Sequence, residues 1–206
     1  MVQYYAQFYD SIVKLCYYSR ATYMCSVRSL QYIGEVMINT QRLAKLCLYT
    51  LLAHDTYART EKKRFRKWDQ STPYAIHPLW CAMTILTETS LNEGLRVDGA
   101  EALILHDTLE DTYAALPSGT SDRVAALVEA MTFDSAEQER ECIWQRSTEV
   151  QLLKLYDKVS NLLDGSWMNQ EKRRVYETYV ERLCIEVEKT YGTLNITNIA
   201  RSVIFA

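Results

Sequence analysis

The sequence predicts an all-α fold. Breakers are scarce, with 6 glycines and 3 prolines in 206 residues. Apolar residues recur at helical spacing through the body of the chain, and the strict alternation of a half-buried strand is nearly absent. The composition, 48% hydrophobic and 24% charged, is that of a globular chain. At this length one domain of ordinary size is expected, with an extension. The chain is expected to divide into a tyrosine-rich helical extension at 1–40, a body at 41–191 and a tail at 192–206.

The extension holds seven of the fifteen tyrosines and is expected to pack on the body or, as a homo-oligomer contact, on a second copy. The body opens with QRLAKLCLYTLLAHDTYA, where Leu43, Leu46, Leu48, Leu51 and Leu52 suit one face of a helix. The basic stretch RTEKKRFRKWDQSTP, 59–73, reads as a loop. Pro78 sits in a first turn, where its missing N–H costs nothing, and starts a second helix through LWCAMTILTE. A third helix covers 98–111, PSGTS breaks the chain, and DRVAALVEAMTF makes a fourth. DSAEQERE, 134–141, reads as a solvated connection. VQLLKLYDKVSNLLD and NQEKRRVYETYVERLCIEVEKTY supply the fifth and sixth helices, while ITNIARSVIFA at the end leaves strand or helix open.

Several classes are disfavoured. A net charge of −3 and a pI near 5.7 argue against a general nucleic-acid binder. No run approaches the roughly 20 apolar residues of a membrane span, and MVQYYAQFYDSIVKLC lacks the basic start and apolar stretch of a signal peptide, so no membrane partner and a cytoplasmic setting are expected. The six cysteines form no CxxC pair, which points to reduced, mostly core thiols.

The stretch EALILHDTLEDT, 101–112, carries the chemistry. An apolar run leads directly into His106, Asp107, Glu110 and Asp111, and on a continuous helix these make two adjacent i,i+4 pairs. Charge beside a core is costly unless something compensates it. Mixed imidazole and carboxylate donors suit a divalent transition ion. Two further candidates lie elsewhere: His77, just before Pro78, and Asp157, a lone acid behind an apolar face with Asn161 one turn on. Asp157 could equally be a surface acid paired with Lys154 or Lys158.

The order His77, His106-Asp107, Asp157 is similar to the H…HD…D signature of the HD-domain metal-dependent phosphohydrolases. PYAIHPLWCA, ALILHDTLEDT and LLKLYDKVSNLLD resemble more narrowly the RelA/SpoT hydrolase domain and the stand-alone small alarmone hydrolases, over roughly 41–190. The resemblance implies an HD-domain helical bundle, manganese, with iron or zinc as substitutes, and removal of the 3′-pyrophosphate of guanosine tetra- and pentaphosphate. It further implies that His77, His106, Asp107 and Asp157 hold the metal, that Glu110 and Asp111 orient and deprotonate the attacking water, and that Asn161 contacts the substrate near the ribose. His54 matches an upstream family histidine with a supporting role. The chain departs from the family in AHDTYAR, which has neither the usual Gly nor Gln, and in WDQSTPY, which is two residues longer and lacks the usual glycine.

Such a site needs cations for a phosphate substrate. Residues 59–67 offer Arg59, Lys62, Lys63, Arg64, Arg66 and Lys67 against Glu61 alone, and Arg66 and Lys67 are the choices for gripping the distal phosphates. Two other readings stand beside the alarmone hydrolase. One is a phosphohydrolase for another nucleotide, such as an adenine alarmone, NADPH or a nucleoside monophosphate. The other is a nucleotide-binding regulator or antitoxin-like protein.

Overall fold

The computed structural model describes residues 39–205, so the tyrosine-rich extension lies, but for Asn39 and Thr40, outside the described residues. The chain divides into two units, Met1–Lys45 and Leu46–Ala206. Helix α1, Thr40–Thr56, runs from the first into the second. Within the larger unit follow α2 (Ile76–Leu86), α3 (Glu93–Leu105), a single turn α4 (Thr108–Asp111), α5 (Asp122–Met131), α6 (Ala136–Cys142), α7 (Thr148–Leu163), α8 (Gln170–Tyr191) and α9 (Asn195–Ile204). No strand occurs among the described residues, only two isolated bridges, Ala58 with Thr112 and Phe65 with Pro73.

The helix starts follow from their caps. The side chains of Asn92, Ser121, Ser135, Ser147 and Asn169 each accept the backbone N–H three residues on, opening α3, α5, α6, α7 and α8. Each such cap contributes about 1 kcal/mol. Pro78 stands in the first turn of α2. At the far end of α8, Gly192 takes φ 71°, a backbone that side chains disfavour, and stops the helix.

Helix α7 runs through the centre: residues 150–157 are buried without interruption, as are 99–108 at the end of α3. Helices α2 and α8 pack on α7, and α3 lies against α2 and α5. The α2–α3–α7 crossing is tight. A Cβ on Gly99 would stand 2.8 Å from Ile85 Cδ1 and 3.1 Å from Leu153 Cδ2, so the missing side chain leaves room for those two tips to close over α3. Among the described cysteines Cys47, Cys81, Cys142 and Cys184 are all free thiols, with Cys81 and Cys184 buried.

Two sequence expectations need correcting, and one that was open is decided. The third helix is not continuous over 98–111: α3 stops at Leu105, and His106 and Asp107 form a turn before α4. Asp107 relaxes to ψ −2°. Arg59 holds the new course by donating to the carbonyls of Leu109 (2.8 Å) and Thr112 (3.1 Å), while its own backbone N–H donates to Asp111 O. The second concerns DSAEQERE, which is largely exposed but not merely a connection: Ser135 caps α6 there, and Glu139 is buried. The open one, the closing segment, is helical, with Ile196, Thr197 and Ala200 of α9 buried against α7 and α8.

Candidate active site

Three elements deliver the site. His77 comes from the first turn of α2, His106 and Asp107 from the turn after α3, and Asp157 from the middle of α7; all four are buried. Single donor atoms of His77, His106 and Asp157 lie within 4.8 Å of one another. Asp157 Oδ1 is 3.2 Å from His77 Nε2 and 3.8 Å from His106 Nε2, and Asp107 Oδ2 is 3.5 and 3.1 Å from the same two nitrogens.

The other ring nitrogens determine what these atoms can do. His106 Nδ1 donates to Leu103 O at 2.7 Å, so its Nε2 is left facing the carboxylates. His77 Nδ1 pairs with Ser160 Oγ at 2.8 Å. Both Nε2 atoms are buried and without a hydrogen-bond partner. Burial disfavours a charged His106, yet Asp107 and Asp157 outweigh it and push the imidazole up to about 10. For His77 burial prevails and lowers the affinity for a proton. Two orphaned imidazole nitrogens aimed at two buried carboxylates fit a divalent cation: the donors are of the right kind, and the field already attracts positive charge.

Surrounding residues hold this cluster. Tyr74 donates to Asp107 Oδ2 at 2.7 Å and stacks on His54 with ring centroids 4.6 Å apart. His54 therefore packs behind the cluster, and burial lowers its pKa to about 4. Behind Asp157, Oδ2 meets Lys154 at 3.1 Å and Lys158 at 3.0 Å; both lysines also reach Glu139 Oε2, at 3.3 and 2.8 Å. Glu139 in turn accepts from Tyr179 OH at 3.0 Å.

A cavity of about 210 Å³ opens beside the cluster, and Asp107 and Asp157 line it together with Glu110 and Asp111. Burial and then repulsion from Asp107 raise the Glu110 carboxyl to about 7, against the opposing pull of Lys154 and Lys158. Asp111 is also raised, by burial and Asp107, although its carboxylate contacts Lys63.

Arg66, Lys67 and Asn161, the residues assigned to substrate, line the same cavity. Arg66 is more committed than its place in a basic run suggests: Nε and Nη2 clasp Asp164 at 2.7 and 3.0 Å, and Nη2 donates to Asn161 Oδ1 at 2.8 Å. Asn161 donates onward to Asp157 Oδ1 at 2.7 Å. Sequence reasoning overlooked Tyr74, Ser160 and Glu139. The alternative reading of Asp157, a surface acid paired with Lys154 or Lys158, has the pairing right and the surface wrong, since Asp157 and Lys154 are both buried.

No protein-family model matches the chain. Over 136 residues it is 32% identical to the guanosine-3′,5′-bis(diphosphate) 3′-pyrophosphohydrolase MESH1 of Danio rerio, covering 58% of this chain and 74% of the relative. The Homo sapiens protein of the same description is 33% identical over 156 residues, covering 69% and 85%. The chain belongs to the HD-domain alarmone hydrolase family. A longer member, the guanosine-3′,5′-bis(diphosphate) 3′-pyrophosphohydrolase of Aquifex aeolicus, is 34% identical over 151 residues, and the match spans 67% of this chain but 21% of that protein. The alarmone-hydrolase fold also recurs in a solved structure described as a metazoan ortholog of SpoT that hydrolyzes ppGpp and plays a role in starvation responses. It matches with TM-score 0.62 and 20% identity over 86% of this chain and 97% of the other. No helix among the described residues is long and apolar enough to cross a membrane.

Proposed function

We propose that this chain hydrolyses guanosine tetra- and pentaphosphate at the 3′ position, releasing pyrophosphate and leaving GDP or GTP. One observation carries the reading: a His77, His106, Asp107, Asp157 cluster with orphaned Nε2 atoms borders a cavity whose free acid, Glu110, titrates at about 7. In this reading His77, His106, Asp107 and Asp157 hold manganese, with iron or zinc as substitutes. The bound ion would polarise a phosphate oxygen and acidify the attacking water.

The chain's own residues do the rest. Glu110 is not ion-paired among the described residues, and its raised pKa places it close to neutrality, where a general base is most effective. It takes a proton from the water as the water oxygen bonds to the phosphorus next to O3′. The P–O3′ bond breaks, and the departing 3′ oxygen takes up a proton, so that water is divided between the two products. Asp111, held by Lys63, orients that water. The relay Arg66, Asn161, Asp157 fixes the carboxylate that faces the histidines, and Arg66 and Lys67 present positive charge to the phosphates. The family likeness and the acid–histidine geometry both support this assignment.

The test is a product-resolved screen of the purified protein with Mn2+ against ppGpp, ppApp, NADPH and deoxynucleoside monophosphates, analysed by anion-exchange chromatography. Pyrophosphate and GDP from ppGpp are expected. Turnover of another nucleotide in the panel with ppGpp untouched would overturn the substrate assignment.

A further inference from the structure

The cations that line the cavity divide into two kinds. Lys63 contacts Asp111, Arg66 clasps Asp164, Lys154 and Lys158 share Glu139 and Asp157, and Arg140 meets Glu137. Each of these already has a carboxylate. Lys67 and Lys172 do not: among the described residues neither ammonium has an acidic partner, and both lie over the same indole, that of Trp167, at 4.5 and 4.4 Å from its ring. The three side chains come from separate places, the basic loop, the one-turn 3-10 helix Gly165–Trp167 and the first turn of α8, yet all line the cavity.

This arrangement gathers positive charge that no carboxylate offsets. A cation over an indole gains on the order of 1 kcal/mol, but two ammoniums gathered on one ring repel each other. Burial and the neighbouring Lys63 and Lys172 charges lower the affinity of Lys67 for its proton. An anion shared by the two lysines would offset that repulsion. The indole gives both cations a common anchor at the cavity. Compact, freely rotating ammonium groups suit the oxygens of a phosphate chain.

We propose that Trp167, Lys67 and Lys172 form a second anion subsite at the exposed rim of the cavity, which takes the 5′-diphosphate of the nucleotide while its 3′-pyrophosphate lies at the histidine–aspartate cluster. The assignment of the two phosphate chains rests on the alarmone reading above; the subsite itself rests on the unpaired lysines. Lys67 and Lys172 touch the ligand, and Trp167 is a positioning residue.

The test uses GDP, which carries the 5′-diphosphate alone, as a calorimetric probe. It is paired with Mn2+-supported kinetics on ppGpp and on guanosine 3′-diphosphate, which lacks the 5′ phosphates. In Lys172→Ala and Trp167→Leu the GDP Kd and the ppGpp KM should each rise about tenfold, the loss of roughly one charge-assisted contact. The KM for guanosine 3′-diphosphate should rise far less, with kcat changing less than KM throughout, and Trp167→Phe should restore most of the affinity. Lys172 is exposed, so its variant tests the idea even where Trp167→Leu folds poorly. Unaltered GDP affinity in Lys172→Ala, or equal KM changes for both substrates, overturns the subsite. Failure of the wild type to consume either substrate, with GDP binding still weakened in the variants, would sink the alarmone reading and leave the subsite standing.

Discussion

Lys154 Nζ stands 3.1 Å from Asp157 Oδ2, with both side chains buried in the middle of α7. The same ammonium reaches Glu139 on α6, and together with Lys158 it balances two acids that would otherwise repel each other inside the protein. Removing one partner of a buried pair strands the other charge and costs about 3–5 kcal/mol. Lys154→Met, which keeps the stem, is expected to lower Tm by on the order of 10 °C, measured by calorimetry. Adding Glu139→Gln should recover part of the loss, since it removes one of the stranded acids; no recovery in the double variant would show that the pairing is not what stabilises α6 on α7.

Asp107 has a different weight. Its Oδ2 faces both imidazoles and accepts from Tyr74, so it belongs to the cluster and to its support at once. Asp107→Ala is expected to abolish ppGpp turnover and Mn2+ binding while the far-ultraviolet helical spectrum stays largely intact. Chelating the metal from the wild type should have the same effect on turnover, reversed by adding Mn2+. Retained activity in Asp107→Ala would count against the whole cluster.

These residues were legible in the sequence for a physical reason. Histidine is rare here, and each of the acids near it sits where an apolar pattern calls for a hydrophobic residue, so Asp107 after Leu105 and Asp157 after Leu155 mark themselves. Glu139 does not. In DSAEQERE it is one acid among several, and its burial depends on α6 folding against α8, where Tyr179 meets it, 40 residues away in the chain. Ser160 is equally ordinary until α2 brings His77 to it across 83 residues. The break after Leu105 was hidden as well, because the groups that redirect the chain belong to Arg59, which in sequence is one more member of a basic run. Period reveals which face is buried; it does not reveal which distant partner awaits a polar group on that face.

Glu110 gives a pH prediction. Its carboxyl is raised from 4.5 to about 7, so the folded protein binds this proton more tightly than the unfolded chain does. The stability it contributes is therefore complete below about 4.5 and is lost as pH rises through about 7. Glu110→Gln, neutral at every pH, should raise Tm relative to the wild type more at pH 8 than at pH 5. Activity runs the other way. The base must be ionised, so wild-type kcat should climb through about pH 7 to a plateau, and the variant should lose about 10²–10⁴-fold together with that limb of the profile. A variant whose residual rate still rises through neutrality would assign the limb to another group.

Gly99 separates fold from chemistry. It lies on α3 seven residues before His106, and its missing side chain is what allows Ile85 of α2 and Leu153 of α7 to close over it. Gly99→Ala puts a methyl 2.8 Å from Ile85 Cδ1, a contact that real Cβ atoms do not make. The terminal methyls of Ile85 and Leu153 can yield, but in a close-packed interior that movement costs about 1–3 kcal/mol, more than the gain in helix propensity from alanine. Chemical denaturation should show the midpoint falling with an unchanged slope. Gly99→Val, which branches at the same carbon, should cost more than Gly99→Ala and pull α2 away from α3, carrying His77 with it. In that variant kcat should fall alongside stability, whereas in Gly99→Ala at low temperature the surviving folded protein should turn over close to normally. Equal stability of Gly99→Val and the wild type would mean that the three helices do not meet as closely as this geometry requires.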